Sequence, residues 1–502
     1  METLDPDLIE QIPARVAYHF KFLPLARTNG VLKVLVPDAE DLDLLDAIGR
    51  ELGLRVEGVT ESSEAIGDGL KRYYGLGAET IEGLIEQRDE DASPGHAERA
   101  HRSSDLLDVA EDASIIKFVN QLLLEAFLDR ATDIHIEPFE GQLRIRYRID
   151  GVLHDVSVPD SIKRFQDAIA SRIKVMANLD IAERRVPQDG RMRLRVGKED
   201  LDLRVSILPI ARGESVNLRL LQSSSILFGL EELGMDKSGR DLLERAMAQP
   251  HGIILLTGPT GSGKTTTLYS CLSRINEAER KIITVEDPVE YELSGVCQMQ
   301  VHNKIGFTFS EGLRSMLRHD PDVMLVGEIR DAETASLAIR ASLTGHLVFS
   351  TLHTNDAPGA VSRLVDLGAE PFLVASSLEC VVAQRLVRKI CDYCRVPATF
   401  PSIERAEFGL DALTWSQTEF FGGEGCDHCK GSGYRGRTVI HEGMTIDERL
   451  REKVAERVSA NELRKLARAG GMVFLRENGW DKVTAGMTTP DEVLRVTAKM
   501  DL

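Results

Sequence analysis

The fold class this sequence predicts is α/β, with a parallel-sheet core behind two smaller units, and three observations predict it. From about Leu230 the chain repeats a short apolar run, a glycine-rich turn and a helix. Ile253–Leu256, Ile282–Val285, Val323–Val326 and Leu347–Ser350 are the runs, and such units build a parallel sheet that takes ligands at its strand C-terminal ends. Ahead of them, segments between Leu143 and Leu220 alternate apolar and polar residues with the period of half-buried strands. From Glu86 to Asp105 there is no Val, Leu, Ile, Met or aromatic residue, and Ser93-Pro94-Gly95 sits among charges. That is a linker composition. The 502 residues allow about three domains at ~100–200 residues each.

Residues 1–85 carry apolar stretches at Val31–Val36, Leu42–Ile48 and Ile66–Tyr74, enough for a small α/β core. Met1–Asp7 is not a basic segment leading into an apolar one, and the longest apolar runs fall well short of the ~18–20 residues that span a bilayer. The expectation is a cytosolic chain that reaches a membrane only through a partner or a surface contact. After the linker at 86–105, a second domain over 106–230 opens with Ser114 as helix N-cap. Ile115, Val119, Leu122 and Ala126 follow at helical spacing, with Ile116, Leu123 and Phe127 on an adjoining stripe.

The alternating strands come next. Leu143, Ile145, Tyr147 and Ile149 interleave with Arg144, Arg146 and Arg148; Met192, Leu194 and Val196 interleave with Arg191, Arg193 and Arg195. Leu203, Val205 and Ile207 lie opposite Arg204, and Leu218 and Leu220 flank Arg219. One face of the sheet is therefore apolar and the other rich in guanidinium groups. A solvated charged surface and a docking face for phosphates or acidic surfaces both fit. The whole chain holds 61 Lys and Arg against 80 Asp and Glu, a net charge of −19, which disfavours a protein that coats nucleic acid.

The third domain, 231–502, carries the chemistry. Gly258-Pro259-Thr260-Gly261-Ser262-Gly263-Lys264-Thr265 satisfies G-x-x-x-x-G-K-[ST] directly after an apolar strand run and before the helical stretch Thr266–Ile275, the context that confirms a phosphate loop. Glycines let backbone N–H groups converge on phosphates, the helix N-terminus adds positive potential, Lys264 reaches the β/γ oxygens and Thr265 offers a hydroxyl to magnesium. Two more strand runs end in acids, one in Glu286-Asp287-Pro288-Val289-Glu290 and the other in Gly327-Glu328. Magnesium and an attacking water would lie there, with Glu286 and Glu328 competing for the base and metal-water roles. His346 precedes Leu347–Ser350 and His353 follows it; either one could donate a hydrogen bond to a γ-phosphate, or be structural. Cys391 and Cys394, with Cys426 and Cys429, form C-x2-C-x31-C-x2-C, a closed four-thiolate zinc set of structural type. Cys271, Cys297 and Cys380 remain as packing residues.

The phosphate loop GPTGSGKTTTLY, the acidic EDPVEY, LRSMLRHDPDVMLVGEIRDAETA, TGHLVFSTLHTNDA, the tetracysteine set and Thr132–Pro138 (TDIHIEP) together resemble the type II secretion and type IV pilus assembly ATPases from about Asp105 to the C-terminus. Length and the single short N-terminal unit resemble the type II secretion branch best. The resemblance implies a RecA-like P-loop ATPase core with a zinc insertion at about 388–435, preceded by a sheet-rich α+β domain of PAS-like type. It implies ATP, Mg²⁺ and Zn²⁺ as ligands. It also implies a homo-hexamer, peripheral recruitment to the inner membrane through the cytoplasmic domain of a secretion protein docked on residues 1–85, and work on an inner-membrane platform protein during pseudopilus assembly.

Family roles fall on Lys264, Glu286, Glu328, Arg204 and Arg219 as catalytic groups. Gly258 to Thr266 and His353 become nucleotide contacts, and Thr265 and Glu328 hold magnesium. Acidic-box and histidine-box roles map onto Glu286, Glu328, His346 and His353, and further nucleotide-contacting arginines onto Arg314, Arg318, Arg330 and Arg363. A guanidinium brought to the γ-phosphate on domain closure stabilises transition-state charge. A pilus-extension or DNA-uptake motor is the nearest rival reading. A nucleic-acid translocase is a more distant one.

Overall fold

The computed structural model describes residues 6–28, 30–82, 113–196, 199–222 and 229–497; the linker expected at 86–105 lies outside them. The chain separates into two compact units, Met1–Ser224 and Ser225–Leu502.

The first unit holds two sheets. The N-terminal one has three strands, β1 (Leu23–Thr28), β2 (Val31–Val36) and β3 (Arg55–Thr60), with β1 antiparallel and β3 parallel to β2. The parallel pairing needs a crossover, and the helix Leu42–Leu52 supplies it. Asp41 caps that helix by accepting the Leu44 N–H at 3.0 Å, and Gly53 ends it at φ 65°. Leu32, Val34 and Val36 bury against Ile48, Ile66 and Leu70.

The second sheet contains β4 (Asp133–Pro138), β5 (Leu143–Ile149), β6 (Val152–Asp155), β7 (Gln188–Val196), β8 (Glu199–Ile210) and β9 (Gly213–Gln222), in the order β6-β5-β4-β9-β8-β7 and antiparallel throughout. Its apolar face, including Ile134, Ile136, Ile145, Tyr147, Leu203, Val205 and Leu218, packs on the helices Ala113–Leu128 and Gln166–Met176. The first of these helices already includes Ser114 in its opening turn, so Ser114 is not the cap. Ser114 follows the first helical residue instead of preceding it.

The guanidinium face is laced with carboxylates from neighbouring strands. Arg146 meets Glu137 at 2.6 Å, Arg144 meets Asp155 at 2.7 Å, and Arg193 meets Asp202 at 2.7 Å. Arg191, Arg204, Arg219, Asp133 and Arg148 stand in one cross-strand row. In it the Arg219 Nε donates to the buried Asp133 carboxylate at 2.9 Å, with Arg148 3.8 Å from the other oxygen. Much of the face is thus charge-balanced by cross-strand pairing.

The second unit is built on a seven-stranded sheet. Its strands are β10 (Gly252–Thr257), β11 (Ile282–Glu286), β12 (Cys297–Gln300), β13 (Val323–Val326), β14 (Leu347–Leu352), β15 (Leu378–Ile390) and, after the short ribbon β16 (Arg395–Ala398) and β17 (Phe420–Gly423), β18 (Tyr434–Thr445). The order is β12-β11-β13-β14-β10-β15-β18, parallel except for the antiparallel edge strand β18. All four expected apolar runs lie within strands. They are buried on both faces: Ile253 and Leu255 join one core while Ile254 and Leu256 join the other, which is why they read as continuous hydrophobic runs rather than alternating ones. Among the described residues no helix is long and apolar enough to cross a membrane.

Candidate active site

β10 ends at Thr257, and the chain turns through Gly258–Gly263 into the helix Lys264–Ile275. The turn needs its glycines. Gly258, Gly261 and Gly263 have φ of 148°, 79° and 84°, in the region L-residues avoid. A Cβ on Gly258 would stand 2.5 Å from the Gln384 carbonyl oxygen, and one on Gly263 would stand 2.9 Å from Gln384 Nε2. Pro259, Thr260 and Gly261 form the exposed apex, while Thr265 and Thr266 occupy the half-buried first turn of the helix.

Lys264 is buried, and its Nζ donates to the carbonyls of Gly258 at 2.7 Å and Pro259 at 3.0 Å. Burial lowers its pKa to about 8 against an upward pull from Glu328, with Arg385 adding to the lowering. Ser262 Oγ is buried and has no hydrogen-bond partner among the described residues. A glycine cradle, an ammonium and an unmatched buried hydroxyl at a helix N-terminus are the features a polyphosphate satisfies.

The neighbouring strand ends bring the acids to the same sheet edge. Past β13, Glu328 is largely buried, with one carboxylate oxygen 2.5 Å from Arg330 Nη2 and the other 3.1 Å from His353 Nε2. Pairing with Glu328 raises the Arg330 pKa. The segment is pinned to β14, since Thr351 Oγ1 donates to the Gly327 carbonyl at 2.7 Å and the Ile329 N–H to the Thr351 carbonyl at 3.0 Å.

Glu286, at the end of β11, is engaged differently. It is buried and accepts from Tyr269 Oη, from Thr284 Oγ1 at 2.6 Å and from Gln298 Nε2 at 3.3 Å. Burial raises its pKa despite these three donors. Asp287, one residue on, is exposed.

The two histidines part company. His353 follows β14 and joins the site, whereas His346 precedes β14 and therefore stands at the opposite edge of the sheet. Its Nδ1 lies 2.8 Å from the Ala341 carbonyl and 3.2 Å from Thr344 Oγ1, closing the end of the helix Ala332–Leu343. Seven residue steps at ~3.3 Å each separate the two positions by about 23 Å, so His346 does not reach the phosphate loop of its own chain.

Among the further arginines, Arg330 meets a site carboxylate. Arg314 pairs with Glu311 at 2.6 Å and with Glu333, Arg318 donates to the Arg314 carbonyl at 3.0 Å, and Arg363 lies on the helix Ala357–Asp366. Arg204 and Arg219 belong to the first unit, in the row described above.

Two residues that sequence reasoning passed over stand against the phosphate loop. Gln384 on β15 is fully buried; its Nε2 donates to the Ser262 carbonyl at 2.8 Å, and its Oε1 accepts from Thr267 Oγ1 at 2.9 Å. Arg385 donates to the Gln384 carbonyl and to the Asn355 carbonyl, both at 2.9 Å. The available signal was a polar pair interrupting the apolar run Cys380–Val387.

The four cysteines converge where β15 ends and β18 begins. Their sulfurs all lie within 4.8 Å of one another, with Cys391–Cys426 and Cys394–Cys429 at 3.8 Å and Cys426–Cys429 at 3.7 Å. A tetrahedron of sulfurs at ~2.3 Å from zinc has edges of about 3.8 Å, so the donor set fits that ion. The N–H groups of Cys426 and Gly433 donate to the Cys429 sulfur at 3.1 and 3.3 Å, which stabilises the negative charge of a thiolate.

Residues 108–495 match the family model described as type II/IV secretion system protein, and residues 2–80 match the MshEN domain. Type II secretion system protein E of Dickeya dadantii (strain 3937) is 50% identical over 465 residues, covering 92% of each chain. The type IV pilus assembly ATPase PilB of Myxococcus xanthus (strain DK1622) is 41% identical over 497 residues, 99% of this chain and 87% of that protein. Among solved structures, the Legionella pneumophila ATPase DotB superposes with a TM-score of 0.55 at 22% identity, over 76% of this chain and 95% of that one, and shows the shared fold. Matched from residue 108 to residue 495 by one family model and half identical to a relative along nearly its whole length, this chain belongs to the type II/IV secretion system proteins.

Proposed function

We propose that this chain is the ATP-hydrolysing motor of a type II secretion system, converting ATP to ADP and phosphate as a homo-hexamer that drives pseudopilus assembly. The observation that carries the reading is one sheet edge. There Lys264, on the Gly258–Thr265 loop, lies near enough to Glu328 for that carboxylate to pull its pKa upward, and Glu328 is itself held between Arg330 and His353. Such an edge serves phosphoryl transfer, where positioning and charge stabilisation do most of the work. Lys264, the loop N–H groups and the Ser262 hydroxyl would hold phosphate oxygens, Glu328 would take the proton of the attacking water, and His353 would orient Glu328. Magnesium, held by Thr265 and Glu328, would neutralise phosphate charge. The MshEN-matching N-terminal domain would dock on the cytoplasmic part of an inner-membrane secretion protein and so bring the motor to the membrane and its platform protein; nucleic acid has no part in the reading.

The relative of Myxococcus named as a pilus assembly ATPase favours one second reading, a motor for pilus extension. Replacing the chromosomal copy with Lys264→Ala, and measuring extracellular enzymes and surface pili side by side, separates the two. Lost secretion with intact pili is expected; intact secretion with lost pili would turn the assignment to the pilus motor.

For the cysteine cluster we propose one structural zinc per chain. Cys426→Ser is expected to lose that zinc in a stoichiometric metal assay and to open residues 388–435 to protease, while ADP affinity stays within about threefold, because a closed four-thiolate site stabilises its own loops rather than the phosphate chemistry. Zinc-free wild-type protein with an ordered insertion would refute the site.

A further inference from the structure

Gln384 interrupts an apolar strand at a position with no exposure to solvent, and a buried carboxamide is costly unless both of its ends are bonded. Here both are, to partners far away in sequence. The Thr267 hydroxyl donates to Oε1 at 2.9 Å, which leaves Nε2 to donate to the Ser262 carbonyl at 2.8 Å. The Ser262 carbonyl, which can only accept, decides which way round the amide stands, since with the amide reversed Oε1 would oppose the Ser262 oxygen; the Thr267 hydroxyl anchors the other end.

The peptide that follows is planar and trans, so its C=O and the Gly263 N–H point in opposite directions. Fixing the Ser262 carbonyl on β15 aims the Gly263 N–H away from β15. Close approach of the two segments enforces this, since a Cβ on Gly263 would come within 2.9 Å of Gln384 Nε2. The adjacent Arg385 extends the support, because its guanidinium joins the Gln384 carbonyl to the Asn355 carbonyl, beside the turn that carries His353.

We propose that Gln384, anchored by Thr267, is a positioning residue for nucleotide binding: it sets the Ser262–Gly263 peptide so that the Gly263 N–H is presented to a nucleotide phosphate before any nucleotide arrives. This rests on the ATPase reading above. The bond supports ATP and ADP alike, so its loss weakens binding uniformly and leaves the chemical step nearly intact.

The test titrates fluorescent ADP and measures steady-state ATP turnover on the full-length protein, with thermal melting alongside. Gln384→Met keeps length and removes the donor; Thr267→Val keeps shape and removes the anchoring hydroxyl; Thr267→Ser restores it. Gln384→Met is expected to raise the ADP dissociation constant about tenfold with kcat within about threefold, and Thr267→Val about threefold. Thr267→Ser should bind as wild type. The double variant should be no weaker than Gln384→Met, because the two side chains act through one bond. Unchanged affinity in both single variants, losses that multiply in the double variant, or Thr267→Ser losing affinity with Thr267→Val would each overturn the proposal. Wild-type protein that fails to bind ADP at all would instead overturn the ATPase reading.

Discussion

Lys264→Ala is expected to leave less than about one hundredth of wild-type ATP turnover while circular dichroism stays native. The ammonium is the one cation the phosphate loop itself carries, and removing a preorganised charge from a phosphoryl-transfer site costs ~10²-fold or more. The fold should not pay for the loss. Burial holds the Lys264 pKa at about 8, below the ~10.4 of an exposed lysine, so the unfolded chain binds the proton more tightly. Keeping the ammonium charged therefore burdens the folded state below pH 8, and stability recovers as pH climbs from about 8 toward 10. The alanine variant lacks that burden and should melt no lower than wild type at neutral pH.

The same shift predicts that wild-type affinity for ADP falls as pH rises above about 8, by up to tenfold per unit, since phosphate binds the charged form and raises its pKa in the complex. This decline should be absent in Lys264→Ala. Near-normal hydrolysis by a natively folded Lys264→Ala protein would take the active site away from this phosphate loop.

What made the loop legible is that its requirements are local. Gly258, Gly261 and Gly263 sit where the backbone takes positive φ, and Lys264 and Thr265 follow at fixed offsets, so eight consecutive residues state the site. The core strands were legible for a related reason: both faces of β10, β13 and β14 are buried, and their runs are short and wholly apolar. The cysteine pairs announced themselves by spacing, and the fold brings them together across 35 residues of chain.

The rest depends on register, which a single strand does not encode. Arginine alternation in β5 and β7 gave the polar face, but not the Glu137, Asp155 and Asp202 carboxylates that meet it from adjacent strands. Gln384 lies 117 and 122 positions from the two residues it bridges, so no local pattern marks it beyond its being polar in an apolar run. His346 and His353 flank one strand symmetrically in sequence. Strand direction separates them, because ligands gather at the C-terminal ends of a parallel sheet and only His353 stands there.

Strand direction does not decide between Glu286 and Glu328, which both end strands at the same edge, but their surroundings do. Three protein donors already occupy the Glu286 carboxylate. Tyr269 and Thr284 each present a hydroxyl, so Glu286→Gln would set an amide N–H₂ among groups arranged to donate, and its first expected effect is lost stability. Glu328 instead meets Arg330 at one oxygen and His353 at the other. Glutamine preserves the oxygen for Arg330 and offers an N–H₂ toward the His353 ring, so Glu328→Gln should fold and bind normally. The amide oxygen can still reach magnesium, and what the substitution removes is the carboxylate able to accept a proton from water, a loss worth ~10²–10⁴-fold in rate. Expected, then, is a variant with ADP affinity within about threefold of wild type, ATP held long enough to be recovered intact with the protein, and turnover down at least about a hundredfold. Nucleotide affinity falling as far as turnover would move Glu328 from catalysis to binding. Turnover close to wild type would pass the base role to Glu286, whose raised pKa would then be the tuning of a proton acceptor rather than the consequence of its burial.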